Sequence, residues 1–258
     1  MALVELERAN QVAVVTINRP EVLNALNPAV LTELSAVTAT LAGDRDVWAV
    51  VVTGAGGRAF VAGADIRAMA DLDPAGARRL TAQIQDTFTA LAELPQPVIA
   101  ALAGWTLGGG CELALACDIR VADETVRIGQ PEVSLGILPG AGGTQRLVRL
   151  VGPGTAKLLV LGGEPVDGKE ALRLGLVDRL VPAGRALAEA RRLADVIASR
   201  APQAVAAAKV CIDRGADAPL SSGLALERAA FAELFASSDQ KEGMAAFLAK
   251  RPAHFTGR

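Results

Sequence analysis

Two glutamates, each in a glycine-punctuated turn, are the side chains best placed to do chemistry. Glu112 lies in Leu107-Gly108-Gly109-Gly110-Cys111-Glu112-Leu113, and Glu132 lies in Gly129-Gln130-Pro131-Glu132. Paired carboxylates can divide acid and base roles between them. The glycine run beside Glu112 offers bare backbone N–H groups, which suit a developing oxyanion. A second glycine turn, Ala59-Phe60-Val61-Ala62-Gly63-Ala64-Asp65-Ile66, can present the N–H of Ala64 toward a common point. A third donor-rich loop is Gly140-Ala141-Gly142-Gly143-Thr144-Gln145. Each segment also has a plain structural reading. An acid in the first turn of a helix is stabilising anyway, Pro131-Glu132 is ordinary helix-start chemistry, and Asp65 reads as a helix cap.

Other chemistries are excluded by composition. The single histidine is His254, near the end of the 258-residue chain, so a Ser-His-Asp or Cys-His site would need it to fold back from a tail. One histidine also rules out His-rich metal sites. Three cysteines without a CxxC spacing make no disulfide framework and point to a reducing compartment. With 26 basic and 28 acidic residues, the charge balance gives no field for nucleic acid. The N-terminus shows no targeting pattern, and no apolar run reaches about 18 residues, so a cytoplasmic protein with no membrane span is expected.

The elements that must position these residues follow from pattern. Val12 to Ile17 reads as a strand, and Asn27-Pro28 caps a helix through about Leu41. Val47 to Thr53 is apolar throughout, as in a strand buried on both faces. Pro74 to Leu94 reads as a helix and Pro97 to Ala103 as another buried strand. A short helix begins at Gly110, and short strands follow at Ile119 to Ala122 and Val126 to Ile128. A further helix is expected over Gln145 to Leu150. This alternation predicts an α/β core over 1–182. Helical patterns at 185–199, 202–214, 220–236 and 239–250 predict a helical region over 183–258. A competing motif, Gly54-Ala55-Gly56-Gly57-Arg58-Ala59, matches a nucleotide-binding GxGxxA, but no helix is expected after it.

Taken in order, the segments resemble the enoyl-CoA hydratase/isomerase (crotonase) family. The resemblance spans nearly the whole chain. It rests on Asn18-Arg19-Pro20 with Leu23-Asn24-Ala25-Leu26, Phe60 to Ile66, Gly108 to Glu112 with Cys117-Asp118, Gly129 to Glu132, Pro139 to Leu147, and Glu242 to Phe247. It implies a spiral of ββα units followed by a helical C-terminal trimerisation region, assembling as a trimer or a dimer of trimers. It implies an acyl-CoA thioester substrate, with CoA part of that substrate and no separate cofactor. Ala64 and Gly109 match the family's oxyanion-hole positions, and Glu112 and Glu132 match the two catalytic acids of its hydratases. The resemblance further implies CoA or substrate contacts at Ala64, Asp65, Ile66, Arg67, Gly109, Gly140, Phe247 and Lys250, the last two reaching a neighbouring subunit. Arg67 replaces a lysine common in the family, and Glu21 stands where a basic residue often follows Asn-Arg-Pro.

Both carboxylates together imply hydration of a 2-trans-enoyl-CoA to a 3-hydroxyacyl-CoA. A Δ3,Δ2-enoyl-CoA isomerase on the same scaffold is the alternative and needs only one carboxylate. A non-enzymatic RNA-binding member is a further alternative. It would need a lysine-rich face, and only the short pairs Arg78-Arg79 and Arg191-Arg192 are present.

Overall fold

The computed structural model of the chain describes residues 2–258. It opens with an antiparallel hairpin of β1 (Val4–Ala9) and β2 (Val12–Ile17). Next comes α1 (Pro28–Ala42), capped by the Asn27 side chain on the Val30 N–H. Three ββα turns then follow. The first is β3 (Ala49–Gly54), β4 (Ala59–Val61) and α2 (Pro74–Ala92). The second is β5 (Val98–Leu102), β6 (Trp105–Leu107) and α3 (Gly109–Ala116). The third is β7 (Ile119–Asp123), β8 (Arg127–Gly129) and α4 (Gly143–Gly162). The chain continues through β9 (Val166–Asp167), α5 (Gly168–Arg173) and β10 (Arg179–Val181). It closes with α6 (Ala186–Ala198), α7 (Pro202–Ala216), α8 (Leu220–Leu234) and α9 (Ser238–Leu248).

Each ββα turn sends one strand to each of two sheets. The larger runs β1-β2-β3-β5-β7-β10 and the smaller β4-β6-β8-β9. The β-branched, apolar strands sit at the centre of the larger sheet: Val50, Val51, Val52, Val98 and Ile99 have no exposed surface. One face packs with α1 and α2 through Leu31, Leu34, Phe88 and Leu91. The expected spiral of ββα units is therefore present.

Three features were not anticipated in the sequence reading. β1 was not expected, because its Glu5, Glu7 and Arg8 disguise an edge strand, where charges are tolerated and useful. As expected, the glycines after β3 lead into β4 and not into a helix, so the nucleotide-binding reading of 54–59 fails. The helix expected over Gln145 to Leu150 is the first part of α4, which continues past a break at Gly152 (φ 77°, ψ 164°) and Pro153. Finally, α6 belongs with the sheet. Its Ala186, Ala190, Ala194 and Ala198 pack on Val12, Val14, Ala49 and Val51. The helices beyond this sheet packing are α7 to α9. Those are tied back by Lys209 of α7, whose Nζ lies 2.8 Å from Asp118 Oδ2 and 3.2 Å from Gln96 O. Among the described residues no helix is long and apolar enough to cross a membrane.

Candidate active site

β4, β6 and β8 are parallel neighbours, so the chain leaves all three at one edge of the smaller sheet. Residues 62–65 follow β4, 108–112 follow β6, and 130–132 follow β8. Three successive turns of the spiral thus deliver three segments to one place.

Ala64 is held by a parallel bridge to Leu26. The Leu26 N–H donates to Gly63 O (2.9 Å), and the Asp65 N–H donates to Leu26 O (2.7 Å). Both bonds use the neighbours of Ala64, so the N–H of Ala64 itself faces away from Leu26. Gly109 lies beside it: a Cβ built on Gly109 would sit 3.4 Å from Ala64 N. Gly109 is the first residue of α3, where an N–H has no acceptor within the helix. Among the described residues neither N–H has an acceptor. The pair can bind an oxygen that gains negative charge, with the α3 dipole aligned behind Gly109.

Glu112 sits one turn into α3 and is 2% exposed. Its Oε1 accepts the N–H groups of Ala141 and Gly143, each at 2.7 Å. Burial raises its pKa on balance, although these two donors and the Arg146 charge pull the other way. Glu132 opens a 3₁₀ turn and is also buried. The buried Gln130 side-chain amide lies against both carboxyl oxygens, and in the orientation with its nitrogen toward Glu132 it donates to them at 3.1 and 3.2 Å. Glu132 is pushed up to about 7, first by burial and then by the Glu112 charge. The two acids therefore differ in kind. Glu112 is held by two backbone dipoles that favour its ionised form, and Glu132 keeps a proton to near neutrality. A site with one ionised and one protonated carboxyl can remove a proton at one point and deliver one at another.

One cavity of about 790 Å³ has Ala64, Gly109, Glu112, Glu132 and Gly140 on its wall. The rest of the wall is aliphatic, with Ile66, Met69, Leu72, Leu80, Ile84 and Leu138 among its residues. Other expected contacts fall elsewhere. Asp65 turns away, accepting from the Arg67 N–H at 3.2 Å and facing the Arg19 guanidinium. Arg67 is exposed in the turn after Ala64. Phe247 and Lys250, at and just past the end of α9, are exposed and off this cavity wall. Cys111 is buried beside the acids, and burial and both glutamates push its thiol up, so it stays neutral and inert.

The sequence reading missed four partners. Gln130 was seen only as part of a turn. Ala141 and Gly143 were seen as a donor-rich loop with no acceptor assigned; the one available signal was that run of glycines. Arg19 was seen only as part of a motif.

A family model described as enoyl-CoA hydratase/isomerase matches residues 7–258. The chain belongs to the enoyl-CoA hydratase/isomerase family. The short-chain-enoyl-CoA hydratase of Clostridium acetobutylicum is 48% identical over 246 residues, covering 95% of this chain and 94% of that protein. The crotonyl-CoA hydratase of Syntrophomonas wolfei is 44% identical over 253 residues, covering 98% and 97%. Among solved structures, the enoyl-CoA hydratase of Bacillus anthracis superposes with a TM-score of 0.97 at 38% identity, covering 99% of this chain and all of that one. This member of the family thus matches hydratases in sequence and fold over nearly its whole length.

Proposed function

We propose that this protein hydrates 2-trans-enoyl-CoA thioesters to 3-hydroxyacyl-CoA. The observation that carries the reading is the single cavity shared by Glu112, Glu132 and the two acceptor-free N–H groups of Ala64 and Gly109. The curated relatives named as enoyl-CoA, short-chain-enoyl-CoA and crotonyl-CoA hydratases support it.

The mechanism follows from the geometry. The thioester oxygen sits against the Ala64 and Gly109 N–H groups, which take up the charge that water addition drives onto it. Losing one such donor typically costs about 10²–10³ in rate. Ionised Glu112 holds a water and removes its proton as the oxygen attacks the β-carbon. Protonated Glu132 delivers a proton to the α-carbon. Each such acid–base role is typically worth about 10²–10⁴. Because the acids interact, they titrate as a pair. The reaction calls for no separate cofactor, since a conjugated thioester is already an acceptor for water and CoA belongs to the substrate.

The aliphatic wall takes the acyl chain. The family resemblance puts the CoA moiety near Asp65, Ile66, Arg67 and Gly140. It also brings Phe247 and Lys250 to a neighbouring subunit of a trimer or a dimer of trimers. Phe247 at 83% and Leu248 at 81% exposure are apolar surfaces suited to such a neighbour. The free cysteines suit a cytoplasmic setting.

The test is hydration of crotonyl-CoA, followed by loss of the enoyl absorbance. Glu112→Gln and Glu132→Gln each abolish hydration while CoA-ester binding stays close to wild type. Full hydration by either variant refutes its assigned role. Conversion of a 3-enoyl-CoA by Glu112→Gln at the wild-type rate would favour the isomerase.

A further inference from the structure

Arg19 is off the cavity wall, yet its side chain is only 13% exposed. Its Nη1 donates to Ala25 O at 2.5 Å. The other end of that same peptide is the Leu26 N–H, which donates to Gly63 O at 2.9 Å. The other end of the Gly63 peptide is the Ala64 N–H, the group facing the substrate oxygen. Two peptide planes therefore link a guanidinium to the oxyanion hole. We propose that Arg19 is a positioning residue for hydration, fixing and polarising the Ala64 N–H through the Ala25–Leu26 and Gly63–Ala64 peptides. The inference rests on the reading of Ala64 as an oxyanion donor.

The physics favours a relay over a plain ion pair. A hydrogen bond at a peptide carbonyl draws electron density from its nitrogen and strengthens its N–H as a donor, and linked bonds reinforce one another. A charged donor at the head of the series makes the first bond a strong one. The low exposure of Arg19 limits screening by water. The same guanidinium also grips Ala64 from its other side. Its Nη1 and Nη2 lie 3.3 Å from Oδ2 of Asp65, the next residue, and the Asp65 N–H returns to Leu26 O.

The local backbone is shaped to this end. Leu23 and Asn24 take left-handed conformations, φ 54° and 60°, which non-glycine residues rarely adopt. Such strain persists only where the surroundings enforce it. Asn24, fully buried, provides that enforcement. Its amide donates to Ala55 O and Ala59 O, and its Oδ1 accepts the Arg19 N–H. The turn thereby brings Ala25 O onto Arg19 and Leu26 onto the Ala64 segment.

The experiment compares wild type, Arg19→Lys and Arg19→Gln with a chromophoric probe, 4-dimethylaminocinnamoyl-CoA. Its long-wavelength band moves to the red as its carbonyl is polarised. Lysine keeps a cation on a side chain of nearly the same length, and glutamine is a shorter, neutral donor that removes the charge. Circular dichroism verifies that each variant folds. Arg19→Gln is expected to lose most of the red shift and about tenfold in kcat for crotonyl-CoA, with KM within about threefold, because the donor is weakened and not removed. Arg19→Lys is expected to keep the red shift and a kcat within about threefold of wild type. A folded Arg19→Gln with the wild-type band and wild-type kcat overturns the relay and leaves the hydratase reading standing. No red shift in wild type overturns the oxyanion reading and the relay with it. Equal loss in both variants reduces Arg19 to a shape-holding contact and also overturns it.

Discussion

Gly108 and Glu132 lie so close that a side chain at 108 would displace the carboxyl: a Cβ built on Gly108 would lie 2.7 Å from Glu132 Oε1. Gly108 also holds φ 49° and ψ −119°, a conformation open to glycine and strained for other residues. The residue before Gly109 thus shapes the seat of the proposed acid.

Gly108→Ala is expected to move the Glu132 carboxyl off its line to the α-carbon. kcat for crotonyl-CoA should fall by about 10²-fold, the order of one acid–base role. Backbone strain should lower stability by about 1–3 kcal/mol. Steady-state kinetics and urea unfolding measure the two effects separately, and an unchanged kcat would mean that the contact is not part of the machinery.

The pH profile should report Glu132. As the proposed acid it must be protonated, and burial with the nearby Glu112 charge pushes it up to about 7. Hydration kcat/KM should therefore fall as pH rises through about 7. The same shift bears on stability. A carboxyl with a raised pKa in the folded state stabilises fully below its ordinary 4.5 and loses that contribution as pH rises through about 7. Glu132→Gln, which cannot ionise, should gain Tm relative to wild type across that window.

Gln130→Leu removes the donors to both Glu132 oxygens. With the amide nitrogen toward Glu132, the donors favour the ionised carboxylate, so the Glu132 pKa should rise further. The alkaline limb of the profile should shift upward while kcat falls, because the carboxyl has lost its anchor. A profile that stays in place would show that the amide does not govern this proton.

Lys209→Met should act on stability and not on chemistry. Lys209 and Asp118 side chains are 7% and 20% exposed, and removing the cation leaves a largely buried carboxylate without its ion-pair partner. The expected cost is about 3 kcal/mol, with kcat per folded molecule unchanged. Thermal unfolding beside single-turnover kinetics decides it.

Local signals made much of the fold legible. The valine-rich runs, the Asn27-Pro28 cap and the breaks at Pro202 and Pro219 carry their meaning within a few residues, and the elements they imply are present. Most of the smaller sheet was not legible: only β8 was anticipated, by the short strand over Val126 to Ile128, because β4, β6 and β9 have two or three residues each, too few for any period. The juxtaposition of Ala64, Gly109, Glu112 and Glu132 came from the ordered family motifs, since no spacing rule joins residues from three turns of a spiral. Arg19 stayed hidden because Asp65 lies 46 positions away. Gln130 stayed hidden because a buried amide looks, in sequence, like any loop glutamine.

The smaller sheet keeps the two carboxyl groups apart from much of the aliphatic wall along the chain. Glu112 follows β6 and Glu132 follows β8, whereas Met69, Leu72, Leu80 and Ile84 all belong to the excursion between β4 and β5, beyond Ala64. A lineage could therefore redraw that excursion to suit a longer, shorter or branched tail, and the proton-handling apparatus would be inherited intact.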